Sequence, residues 1–143
     1  MLEDCDKKIQ EYKSLGYSTH FSKKDHLWTL YEYEIGRFKI PDIPKDMIYN
    51  GCHCGNCHLT ILPNGDLYAC RRVQNSKVGN VFIDRIADVW ISKMEKYREY
   101  KEFKKCSKCE LLAFCRGCPA VASGKSGDFY DNDPQCWKEI DYE

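Results

Sequence analysis

Ten cysteines punctuate a chain of 143 residues, and nine of them fall between Cys52 and Cys136. They come in groups. Cys52-x-Cys54-x2-Cys57 is followed by Gly65-x4-Cys70; after a cysteine-free stretch come Cys106-x2-Cys109-x5-Cys115-x2-Cys118, and then Cys136. Two thiolates set two residues apart reach one metal centre from a single tight turn, because the intervening amides fold toward the sulfurs. Zinc sites and iron–sulfur clusters both use this device. Counting narrows the stoichiometry: two closed zinc sites need eight thiolates, and so do two [4Fe–4S] clusters. Ten cysteines supply eight and leave Cys5 and one of Cys52, Cys54 and Cys57 over. Arithmetic alone does not separate zinc from iron–sulfur.

Other chemistry is sparse. His53 and His58 stand among the first cysteines, placed either as alternative zinc ligands and hydrogen-bond donors behind a ligand or as ordinary hairpin residues. Arg71 and Arg72 directly follow Cys70, where they would donate to cluster sulfur, bind an acidic peptide, or simply be solvated. No glycine-rich phosphate loop or nucleophile elbow is present. Basic and acidic residues balance at 22 each, so no global field points to nucleic acid or an anionic membrane. No apolar run of about 18 residues and no signal peptide is visible, which reads as a cytoplasmic, reducing location. There, dense cysteines mean metal before disulfides. A chain of this length buries roughly 68–70% of its unfolded surface, so it need not lean on metal for want of a core.

The elements that must position these thiols are legible in outline. Leu2, Cys5, Ile9, Tyr12 and Leu15 recur at helical spacing, predicting a first helix that ends near Gly16. A second opens near Ser22 or Asp25, with Leu27, Leu30, Tyr31, Ile35 and Phe38 on one face, until Pro41 and Pro44 break the pattern. Residues 58–62 and 67–70 read as strands joined by Pro63-Asn64-Gly65-Asp66, a hairpin that folds Cys70 back beside the first cysteines. Residues 84–103 read as a helix with Ile83, Ile86, Ala87, Trp90, Met94, Tyr97 and Tyr100 on its apolar side and a break near Ser92. A turn of helix at 120–123 precedes a Gly124-Lys125-Ser126-Gly127 loop, and Asp133-Pro134 reads as N-cap and first position of a last helix through Ile140. The expected fold is a small, cysteine-rich α+β module, a β-hairpin and several short helices around two metal centres, over residues 51–143. A helical lead-in, 1–50, precedes it.

The order Cys52-x12-Gly65-x4-Cys70, Cys106-x2-Cys109-x5-Cys115 and a distal Cys136 resembles the SPASM domain, the auxiliary-cluster module of many radical S-adenosylmethionine enzymes that modify peptides. Leu62-Pro63-Asn64-Gly65-Asp66-Leu67-Tyr68-Ala69-Cys70 looks like the family's hairpin. Val78-Gly79-Asn80-Val81 and Ile86-Ala87-Asp88-Val89-Trp90 are similar to its following strand and helix, and Asp133-Pro134-Gln135-Cys136 to its closing segment. Two departures stand out. Cys115-Arg116-Gly117-Cys118 has a gap of two where the family often has three, and Cys52, Cys54 and Cys57 compete for two places.

The resemblance implies two interleaved [4Fe–4S] clusters. One takes Cys70, Cys118 and two of the first group, with Cys52 and Cys54 favoured and Cys57 the alternative. The other takes Cys106, Cys109, Cys115 and Cys136. It also implies partners: a radical S-adenosylmethionine barrel and a peptide substrate, with electron relay and substrate positioning as the roles. No cysteines have the CxxxCxxC spacing that binds S-adenosylmethionine, so the chain by itself is expected to be non-catalytic, a detached C-terminal module. A different class of function, a zinc-ribbon-like structural or protein-interaction module, predicts closed, colourless sites. A free-standing ferredoxin-like carrier leaves the aromatic extension of residues 1–50 unexplained.

Overall fold

Pro63 and Asn64 turn the chain, and Gly65 takes up the left-handed backbone (φ +83°) that closes the turn, its N–H bonding to the Leu62 carbonyl. A type I turn closed by such a glycine aligns the flanking strands. In the computed structural model, which describes residues 1–23, 25–44 and 47–140, this hairpin pairs β1 (Thr60–Ile61) with β2 (Asp66–Tyr68). Strand β3 (Lys77–Asn80) adds to the other edge of β2, giving an antiparallel sheet of order β1-β2-β3. With α1 (Leu2–Ser14), α2 (Leu27–Glu34), α3 (Ile86–Asp88) and α4 (Pro119–Ser126), the described residues form the expected small, cysteine-rich α+β protein. Among the described residues no helix is long and apolar enough to cross a membrane. Residues 141–143, the end of the expected 51–143 unit, lie outside the described chain.

Several elements differ from expectation, each for a local reason. Helix α1 forms, but Cys5, Tyr12 and Leu15 are exposed and the buried positions are Asp6 and Ile9. A carboxylate faces inward because Arg37 binds both its oxygens at 2.7 Å, clasping α1 against the residues that follow α2. Helix α2 has Asp25 accepting the Leu27 N–H at 2.8 Å, as an N-terminal cap should. It buries Leu27, Trp28 and Leu30 while Ile35 is exposed, and it ends before Gly36, short of either proline. The 84–103 helix breaks around Ser92, as expected, but α-helix does not resume beyond it. After α3, residues Val89–Lys93 widen into a π turn, with Met94 N–H reaching the Val89 carbonyl, and two 3₁₀ turns follow, Glu95–Arg98 and Tyr100–Glu102. The wider turn puts Val89, Met94 and Tyr97 on the sheet and leaves Ile83, Ile86 and Ala87 exposed.

Helix α4 runs through Ser126 where a loop was expected from Gly124. No helix forms from Asp133 to Ile140. Asp133 accepts the Gln135 N–H at 2.9 Å and its carbonyl the Cys136 N–H at 3.0 Å, but the turn goes no further. The Cys136 carbonyl, which a helix would offer to the amide of residue 140, accepts from Lys105 Nζ at 3.1 Å instead.

Two apolar cores result. Leu67, Ala69, Val78, Val89, Met94 and Tyr97 pack with Cys54 under the sheet. Leu27 and Leu30 of α2 pack with Leu111 and Cys115, flanked by Leu2, Tyr33 and Phe38. Each core thus contains cysteines from a different part of the sequence.

Candidate metal centres

The first cysteines are presented by a tight turn. Asn56 and Cys57 amides both reach the His53 carbonyl at 3.1 Å. The turn sorts its thiols: Cys54 is buried and its S–H donates to the Ala69 carbonyl at 3.2 Å, while Cys57 is exposed with its Sγ 3.2 Å from His53 Nδ1. Arg98 holds the turn in place, donating to the Gly55 carbonyl at 2.6 Å and to the Trp90 carbonyl at 2.6 Å. The hairpin delivers Cys70. Its backbone is pinned by fully buried Ser76, whose Oγ accepts the Cys70 N–H at 3.2 Å and lies 2.8 Å from the Cys70 carbonyl.

Cys118 arrives from the far end of the chain, at the N-terminus of α4. Asp133, itself buried, accepts the Cys118 N–H at 2.7 Å. Gly117 (φ +59°) is what lets it approach: a β-carbon there would lie 2.7 Å from the Asp133 side chain.

These elements bring Cys52, Cys54, Cys70 and Cys118 to the wall of one open cavity of about 410 Å³, rimmed by His26, His53, His58, Arg71 and Arg72, with Phe129 beside them. Cys57 is not on that wall. His53 and His58 are exposed, as are both arginines. His26 is half-buried, and desolvation lowers its pKa below that of an ordinary imidazole. It and His53 also line an adjoining polar hollow of about 430 Å³ with Lys23, Asp25 and Glu32.

The remaining thiols gather elsewhere. Cys106 and Cys109 flank a 3₁₀ turn (Cys106–Lys108), and Cys115 closes on Leu111, its amide 2.7 Å from the Leu111 carbonyl. With Cys136 they line a space of only about 20 Å³ beneath Leu30, Leu111 and Ile140. Cys5 stands apart, exposed on α1.

Desolvation acts against ionisation of Cys52, Cys54, Cys106, Cys109 and Cys115. Burial pushes Cys52 and Cys54 up, Cys106 to about 12 and Cys115 to about 11. Neighbouring thiols add to each shift, and they do so within quartets: Cys118 and Cys70 act on Cys52, whereas Cys136 and Cys109 act on Cys106 and Cys115. Such groups become thiolate ligands only where a metal supplies compensating charge, so binding must release protons. As donors the eight sulfurs suit iron–sulfur clusters. No three of His, Cys, Asp and Glu among the described residues converge as a single ion requires. Zinc draws four sulfurs to about 2.3 Å from one point, and this arrangement gives that alternative no support.

Two sets of four thiols on a small α+β frame make a thiol-rich module suited to holding metal. Residues 52–119 match the family model of SPASM, an iron-sulfur cluster-binding domain. The match takes in the open cavity's four cysteines and stops before Cys136. No curated protein and no solved structure matches the chain.

Arg116, Asp133, Ser76 and Phe129 were not singled out by sequence reasoning as site residues. Asp133 carried a signal, but its capping chemistry read as the start of a helix of its own. Arg116 sits inside the CxxC of Cys115 and Cys118, a position that by itself marks it out.

Proposed function

We propose that this chain is the auxiliary cluster module of a radical S-adenosylmethionine enzyme that modifies a peptide, and that it holds two [4Fe–4S] clusters. Cys52, Cys54, Cys70 and Cys118 would ligate one, and Cys106, Cys109, Cys115 and Cys136 the other. The observation that carries this reading is the sorting of eight of the ten cysteines into two quartets, each lining its own cavity, with Cys5 and Cys57 left out. The family match over residues 52–119 supports iron–sulfur as the cofactor class.

When bound, such clusters accept or pass single electrons with little rearrangement. The protein's own residues do the rest. Buried backbone contacts at Cys54, Cys70 and Cys118 fix the donor positions. The open cavity beside the first quartet leaves room for a peptide side chain, with His26, His53, His58 and the two arginines to orient it. The barrel that cleaves S-adenosylmethionine is the expected partner.

Metal and acid-labile sulfide analysis of anaerobically prepared protein tests the cofactor. About eight iron and eight sulfide per chain, with a brown absorption bleached by dithionite, is the expected result. About two zinc, no sulfide and no colour would sink it. The enzymatic part is tested with the complete enzyme: Cys70→Ser should leave S-adenosylmethionine cleavage intact and abolish the modified peptide. Undiminished product would refute a role for the first cluster.

A further inference from the structure

We propose that Arg116 is the internal counter-cation shared by both cysteine quartets, a fixed positive charge set between them that favours reduction at each. The inference rests on reading the quartets as cluster sites.

Arg116 is only 2% exposed. In sequence it lies between Cys115 of one quartet and Cys118 of the other. Its guanidinium donates to the backbone carbonyls of Asn50, at 3.1 Å, and Cys52, and stacks over the Tyr100 ring at 4.9 Å. These contacts place it within electrostatic reach of Cys52 of the first quartet and of Cys106 and Cys115 of the second.

Its partners satisfy hydrogen bonds but not charge, because carbonyls and a phenol ring are neutral and no ion pair to a carboxylate is formed among the described residues. A guanidinium cannot shed its proton, and a buried cation without a counter-charge is costly. Four-thiolate clusters are anionic, and two of them flanking Arg116 supply what the protein withholds. One-electron reduction adds one negative charge to a cluster, and a desolvated cation nearby stabilises that state more strongly than it would in water. Lys105 offers a contrast. Its Nζ reaches only the Cys136 carbonyl, at 3.1 Å, beside the second quartet alone.

The test uses the full chain, loaded anaerobically, in wild-type, Arg116→Met, Arg116→Lys and Lys105→Met forms. Iron and sulfide are measured first, then both clusters are titrated with dithionite and followed by visible and electron paramagnetic resonance spectra. For Arg116→Met with wild-type iron, the ratio of reduced to oxidised cluster at a fixed potential should fall at least about tenfold at both sites, equivalent to about 59 mV for a one-electron couple. Arg116→Lys should stay within a few-fold of wild type, and Lys105→Met should move one site only. Unchanged ratios in a fully loaded Arg116→Met protein would overturn the proposal. If Arg116→Met fails to load, Arg116→Lys decides: normal loading supports the charge, and equal failure assigns Arg116 to loop geometry instead. A wild-type chain without iron and sulfide would overturn the cluster reading itself, before any variant is compared.

Discussion

Cys52, Cys54, Cys70 and Cys118 line an open cavity of about 410 Å³ with a histidine and arginine rim, whereas Cys106, Cys109, Cys115 and Cys136 close on about 20 Å³ under aliphatic side chains. The donors are the same in kind and number. What differs is the second layer. The first quartet is walled by loops and the start of α4, which leave one side free for a molecule from solution. The second is sealed by α2, whose Leu27 and Leu30 share a core with Leu111 and Cys115. An accessible cavity can admit a molecule from solution, while a closed one cannot. The amino-terminal helices are therefore part of how the second site is made.

The sharpest way to break this comparison is thiol alkylation of metal-free protein. Burial holds Cys106 at about 12 and Cys115 at about 11, so at neutral pH their thiolate fraction is about a hundred- to thousandfold below that of an ordinary thiol. Peptide mapping over time should show exposed Cys5 and Cys57 modified early, and the buried thiols last: Cys106 and Cys115 of the second quartet, with Cys54 of the first. Equal rates for Cys115 and the half-buried Cys70 and Cys118 would erase the distinction between open and sealed.

Removing the seal comes next. Leu30 is 1% exposed, and Leu30→Ala should cost about 2–5 kcal/mol, read from denaturant unfolding. It should speed alkylation of Cys106 and Cys115 and leave the open site unaffected. A smaller effect, about 1–3 kcal/mol, is expected for Asp133→Ala, which leaves the Cys118 N–H without its acceptor. Its iron loss should begin at the open site, as site-resolved spectra would reveal.

The smallest effect concerns the clasp of α1. Arg37 is about half exposed, so its pairing with Asp6 is worth about 1 kcal/mol after screening. Its hydrogen bonds hold the Asp6 carboxyl below the usual value of 3.8. A depressed carboxylate stabilises the fold above its unfolded pKa and loses that contribution as pH falls through the folded one. The stability gap between wild type and Asp6→Asn should therefore be full at pH 6 and close below about 3.8. A gap that widened in acid would exclude this sign.

How much of this was legible in the sequence depends on the range of the forces involved. The hairpin was, because Pro63-Asn64-Gly65 carries its own turn chemistry, and so was the first helix. The cysteine spacing and the family likeness suggested two quartets, but which of Cys52, Cys54 and Cys57 face the cavity depends on which sulfurs the His53 turn directs inward. Helical periodicity failed over 84–103 because a π turn places buried residues five apart, at Val89 and Met94. It failed again after Asp133, where the decisive bonds come from Cys118 and Lys105, far away in sequence. Asp6 broke the apolar pattern of α1 for the same reason, its partner lying beyond α2.

Only Arg116 and Gly117 separate Cys115 of the sealed site from Cys118 of the open one, and Gly117 is pressed against Asp133 with no room for a β-carbon. A linkage so short and so closely packed has little slack, and on the proposed ligation, settling Cys115 fixes where Cys118 can be. Maturation should therefore run as an all-or-none process. Native mass spectra taken during reconstitution are expected to be bimodal, with empty and fully charged molecules predominating and half-filled ones scarce. Repair after oxidative loss would then treat the pair as a single unit.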